Sequence, residues 1–142
     1  MLYGWRESTL DVDLRIDPER DEVLQRLPEL KERLSINVEL ASPVDFIPVK
    51  GGWEERSPFI MQCGRVSVYH FDLYAQALSK IERAHRQDTE DVTAMIRRGL
   101  VNPAALATYF SAIAPLLYRY PAIDEATFRR AVTRVVAEAS TE

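Results

Sequence analysis

The sequence predicts an α+β fold: a small mixed β-sheet with flanking helices and a C-terminal helical segment. Three observations lead there. Residues 10–70 hold short stretches that alternate apolar and polar side chains, the period of a half-buried strand. From Asp72 onward the apolar residues recur at three and four, the period of an amphipathic helix. The chain has 142 residues, 46% of them hydrophobic and 28% charged, which suits one globular domain able to bury its own core. The domain is expected to span residues 1–142, with 1–70 mostly sheet plus one helix and 71–142 helical.

The elements follow in order. Met1 to Tyr3 is too short to assign, and Gly4 to Thr9 reads as a loop. From Leu10 to Ile16 the apolar residues Leu10, Val12, Leu14 and Ile16 take one strand face, and Asp11, Asp13 and Arg15 the other. Asp17-Pro18-Glu19 predicts a helix start, with Asp17 as N-cap and Pro18 at the first helical position. Val23, Leu24, Leu27, Leu30 and Leu34 give that helix its apolar stripe, and Pro28 predicts a kink or a split. Ser35 to Ala41 predicts a second strand, with Ile36, Val38 and Leu40 inward and Asn37 and Glu39 outward. Ser42 to Ser57 reads as a long loop whose island Phe46-Ile47-Pro48-Val49 packs on the core. Phe59 to Cys63 and Val66 to His70 flank Gly64-Arg65, the pattern of a two-residue hairpin turn. Four helices are then expected: Asp72 to His85, Asp88 to Arg98, Pro103 to Tyr118 and Asp124 to Glu138. Gly99 suits the C-cap of the second, and Pro103 and Asp124 suit the starts of the last two.

The bulk numbers set limits on function. A formal net charge of −4 argues against a protein whose main work is gripping a nucleic-acid backbone. No aromatic-plus-basic stacking platform appears either, so nucleic acid is not expected as the primary partner. The single cysteine, Cys63, cannot form an internal disulfide, which fits a reducing compartment, and it is expected to be a half-buried strand residue. No apolar run approaches the roughly 20 residues that span a bilayer, and Met1 to Glu7 lacks the apolar stretch of a signal peptide. The expected location is the cytoplasm, away from membranes.

Several side chains could carry chemistry. Asp11 and Asp13, two apart on a strand, project from one face, where their hard oxygens suit Mg²⁺ or Mn²⁺. The other reading is a solvated strand face neutralised by Arg15. Glu39 is the natural third acid, since neighbouring strands lie about 5 Å apart, but only if the two strands pair in register. Asn37 shares that face, and Asp45 at the loop entry is a lesser candidate. Arg6, Ser8 and Thr9, with Trp5, offer a cation and two hydroxyls that could bind a phosphate beside the acids. Lys80 and Arg83 share a helix face and could reach triphosphate oxygens, with Asp88 and Asp91 orienting them; an ordinary charged surface, with Asp88 as a helix cap, is the competing reading. His70 and His85 have no metal-ligand spacing and are expected to be structural or surface residues.

Gly4 to Leu14, GWRESTLDVDL, resembles the metal-binding signature of the minimal nucleotidyltransferase superfamily: a glycine, an arginine, a serine or threonine, then Asp-x-Asp on a strand. The segment with Asp72, Lys80 and Arg83, followed by Asp88 and Asp91, resembles the second half of AbiEii-type nucleotidyltransferases, and the likeness is to an uncharacterised bacterial branch of that group. It covers about residues 1 to 100. The resemblance implies a sheet of the nucleotidyltransferase type, Asp11 and Asp13 as metal ligands, Glu39 as third acid and Lys80 as a phosphate contact. The superfamily also places a Gly-Gly or Gly-Ser turn ahead of the Asp-x-Asp strand, where a helix N-terminus holds nucleotide phosphates. Met1 to Leu10 carries no such turn, and Gly51-Gly52 lies downstream of the acids. Two readings follow: a chain that continues upstream, or a fold that has lost part of its catalytic apparatus.

The function so implied is metal-dependent transfer of a nucleoside monophosphate from a nucleoside triphosphate to a hydroxyl acceptor, with a link to toxin–antitoxin pairs by resemblance. The alternative is a degenerate, non-catalytic nucleotidyltransferase fold that serves as a protein-interaction or regulatory module. Its partner would be another protein or a second copy of the chain. Ala105, Leu106, Tyr109, Phe110, Ile113, Leu116 and Leu117 would then offer a dimer face, against the plainer reading of core packing.

Overall fold

The computed structural model of the chain describes Asp11 to Thr141, and these residues divide into two compact units, one ending at Asp45 and the other beginning at Phe46. The α+β class holds in both. Expected features on residues 1–10, including Arg6, Ser8 and Thr9, lie outside the described residues.

In the first unit, strand β1 (Asp11–Leu14) leads to helix α1 (Asp21–Leu34) and strand β2 (Asn37–Leu40). The helix serves as the crossover that lets β1 and β2 pair in parallel. Asp17 is not its N-cap: the helix begins at Asp21, and the extended Arg20 supplies the carbonyl that accepts from Val23 N (3.0 Å) and Leu24 N (3.2 Å). Asp21 and Glu22 then fall in the first turn, where acids favour the positive end of the helix dipole. Nor does Pro28 split the helix, which runs through it. None of its residues is buried, so the carbonyl that Pro28 leaves without a donor can turn to water. A short 3₁₀ turn, Pro43–Asp45, closes the unit, fastened by Asp45 Oδ2, which accepts from Ser42 N at 2.7 Å.

The second unit holds the core. Strands β3 (Phe59–Cys63) and β4 (Val66–Tyr69) form the expected antiparallel hairpin, turned by Gly64 at φ +59°. Among the described residues the strands make two two-stranded sheets, β1 with β2 in parallel and β3 with β4 antiparallel. Cys63 is exposed rather than half-buried, since the hairpin end presents both faces to solvent.

Helices α2 (Leu73–Arg83), α3 (Arg86–Arg97), α4 (Pro103–Ile113) and α5 (Glu125–Ala139) follow. Their ends are written in the sequence. Asp72, Asn102 and Asp124 each accept from an N–H of the first turn. Gly99, at φ +69°, ends α3 by donating to Ile96 O (2.9 Å), while Leu100 N reaches Met95 O (3.0 Å). The third of these helices is shorter than expected. Pro115 has no N–H to continue the α ladder, and the chain tightens into a 3₁₀ segment, Ala114–Arg119. Leu106, Tyr109, Phe110, Ile113 and Leu117 are buried, joined by Leu78, Val92, Met95, Phe128 and Val132, so the apolar stripe of the tail is core. Phe110 and Phe128 meet edge to face at 4.9 Å, and Ile47 from the loop island is fully buried. No helix among the described residues is long and apolar enough to cross a membrane.

Candidate functional site

The parallel pairing of β1 with β2 sets the acids of the first unit. Asp11 lies opposite Asn37 and Asp13 opposite Glu39, which meets the register condition stated for a third acid. The alternation places Val12 and Val38 toward the interior and leaves Asp11, Asp13 and Glu39 exposed. Asn37 ties the face together: its Nδ2 donates to Asp11 Oδ1 (3.3 Å) and to Glu39 Oε1 (3.0 Å). One amide thus spans the two strands and holds two carboxylates that would otherwise repel each other.

The donor set suits a hard divalent cation in kind, because it offers carboxylate oxygens on a wet strand face. It is an open arrangement: among the described residues no three histidine, cysteine, aspartate or glutamate side chains gather closely enough to hold one ion. Asp45 has a structural task, since its carboxylate accepts from both the N–H and the hydroxyl of Ser42.

In the second unit, Lys80 and Arg83 meet buried carboxylates. Lys80 Nζ lies 3.2 Å from Asp88 Oδ1 and 2.8 Å from Asp91 Oδ2, and Arg83 Nη2 lies 2.9 Å from Asp88 Oδ1. Burial pushes the Asp88 carboxyl up, but hydrogen bonds and charge from Arg83 and Lys80 outweigh it and hold the group below its ordinary value. The four side chains staple α2 to α3. Asp88 therefore does not cap its helix, which starts two residues earlier at Arg86; its carboxylate is taken by the preceding helix instead.

Sequence reasoning missed a further cluster, centred on Asp72. This carboxylate is fully buried, caps α2 through Oδ1, and accepts at Oδ2 from Arg56 Nε (2.7 Å) and the Tyr109 hydroxyl (3.2 Å). Burial and the Asp72 charge raise the Tyr109 phenol above its usual value. Arg56 also lies 5.4 Å from the Tyr109 ring centroid. The cap was legible, because Asp before an apolar-periodic run is a helix-start signal. Arg56 lies 16 residues away and Tyr109 37, spacings that no local pattern marks. His70 is half-buried, and burial lowers its pKa.

Residues 1–130 match the family model described as a nucleotidyltransferase of unknown function, DUF6036. No curated protein and no solved structure matches the chain.

Proposed function

The chain belongs to the DUF6036 family of nucleotidyltransferases of unknown function, and from that premise we propose that it transfers a nucleoside monophosphate from a nucleoside triphosphate to a hydroxyl acceptor. The observation that carries the reading is the shared face of β1 and β2, on which Asp11, Asp13 and Glu39 stand with the Asn37 amide between them.

Asp11 and Asp13 would hold Mg²⁺ or Mn²⁺, with Glu39 as the neighbouring third acid. A bound divalent ion supplies charge neutralisation at the α-phosphate and lowers the cost of deprotonating the attacking hydroxyl. The chain's own residues have simpler tasks. Asn37 keeps Asp11 and Glu39 oriented on one face. Glu39 receives the acceptor's proton as the oxygen–phosphorus bond forms and pyrophosphate leaves.

A second reading has its own observation. Val23, Leu30 and Leu34 on α1 are 39%, 36% and 55% exposed, and Phe59, Met61, Val66 and Tyr69 of the hairpin are exposed as well. Exposed apolar side chains on each unit, taken separately, favour a non-catalytic protein-interaction module.

Thermal unfolding with Mg²⁺ or Mn²⁺ and each nucleoside triphosphate tests the first reading. A ligand at about 100 times its dissociation constant adds about 2.7 kcal/mol of stability. The expected result is a metal-dependent upward shift that the Asp11→Asn/Asp13→Asn double variant lacks. The same shift in both, or none in either, would reject the acid face as the nucleotide site.

A further inference from the structure

Gly51 and Gly52 are both exposed, yet the loop that bears them is fastened from the inside. The Arg56 guanidinium donates through Nη2 to the Lys50 carbonyl (2.7 Å) and through Nη1 to the Gly51 carbonyl (2.8 Å). Its Nε is fixed at 2.7 Å by the buried Asp72. The Lys50 N–H also turns inward, to the Tyr109 hydroxyl at 3.1 Å.

The peptide bonds that follow Lys50 and Gly51 are trans. In a trans peptide the N–H lies opposite the C=O. With both carbonyls turned in to Arg56, the N–H groups of Gly51 and Gly52 point away from it, to the exposed side. Neither donates to an acceptor among the described residues. A Cβ at Gly51 would meet nothing within 4 Å; one at Gly52, which holds φ +74°, a conformation that favours glycine, would meet Arg56 Nη1 at 3.5 Å, the clamp itself.

We infer that the Gly51 and Gly52 amides form a two-donor site for an oxyanion, each N–H taking one oxygen of a phosphate or carboxylate group. Successive backbone N–H groups held on one side of a turn make an anion-binding surface. The cation behind the two carbonyls polarises both peptide units and strengthens their donors. The clamp through Arg56, Asp72 and Tyr109 has already ordered the loop, so binding costs little further entropy. The site lies wholly within residues 46–142.

The test is ¹H–¹⁵N NMR of the full chain at constant ionic strength, titrated separately with inorganic phosphate, acetate and chloride. The Gly51 and Gly52 amide protons are expected to move downfield with phosphate and to saturate, and to stay in place with chloride. A matching acetate curve identifies a general oxyanion site; a weaker one identifies phosphate as the ligand. Arg56→Lys keeps a positive charge but cannot grip both carbonyls with a planar fork, so it should weaken binding by about tenfold. Gly51→Pro removes one donor and should diminish the response at Gly52. The inference is overturned if the wild-type amides do not saturate, if chloride moves them equally, or if Arg56→Lys binds unchanged with the rest of its spectrum intact.

Discussion

Asp11, Asp13 and Glu39 face water, whereas Asp72, Asp88 and Asp91 are buried. The first three belong to a unit in which Val38 is the one buried apolar side chain among the described residues. The other three belong to a unit with a packed core, and each meets a lysine or arginine there. The contrast teaches what each set of charges can do. An exposed carboxylate keeps its hydration and can exchange water for a ligand at little cost. A buried one is tolerable only while its partner stays in place, so it holds helices and loops together.

That contrast can be broken most sharply at Asp72. Asp72→Ala removes the Arg56 pair, the Tyr109 bond and the cap of α2, and should cost about 4 kcal/mol in urea unfolding. A loss below about 1 kcal/mol would mean that the buried acids are not structural. Leu106→Ala, at a fully buried position, should cost about 3 kcal/mol and calibrate the core against the clamp.

Asp88→Asn should cost about 2 kcal/mol at neutral pH, through lost charge-assisted bonds to Lys80 and Arg83. The pH profile supplies the sign. The folded Asp88 pKa is depressed, so its contribution is complete above the unfolded value of about 4. It fades as pH falls through the lower folded value. The gap between wild type and variant should therefore close in acid, and a gap that persists there would point to lost packing instead. The smallest effect belongs to the exposed set. Asp11→Asn/Asp13→Asn should change stability by no more than about 0.5 kcal/mol without ligand. A larger change would show that the strand face is a structural element after all.

Much of the fold was readable because its causes are local. Alternation at Asp11 to Leu14 and at Asn37 to Leu40, the Gly64 turn, and the caps at Asp72, Asn102 and Asp124 each depend on a few neighbouring residues. The errors fall where a choice depends on surroundings. Pro28 looks like a break, yet an exposed helix can carry it. Pro115 sits in a helical pattern, yet its missing N–H ends the ladder. On the candidate site, the facing of Asp13 and Glu39 was conditional on a register that a single strand cannot declare. Arg56 gave no signal, because one arginine in a polar loop looks like any other until Asp72 lies beneath it.

The clamp around Asp72 differs from the α2–α3 staple in one more respect. Lys80 reaches Asp88 and Asp91 across 8 and 11 residues, while Lys50 reaches Tyr109 across 59 and Tyr109 reaches Asp72 across 37. Closing a short loop surrenders less chain entropy, so the helical hairpin is expected to form before the contacts that Tyr109 makes in the clamp. Bonds that are absent at the transition state govern how fast a native chain opens, and leave the rate of folding nearly unchanged. On that order the Asp72 clamp is expected to set a lifetime, the time that residues 50–56 stay seated once the rest of the unit has folded.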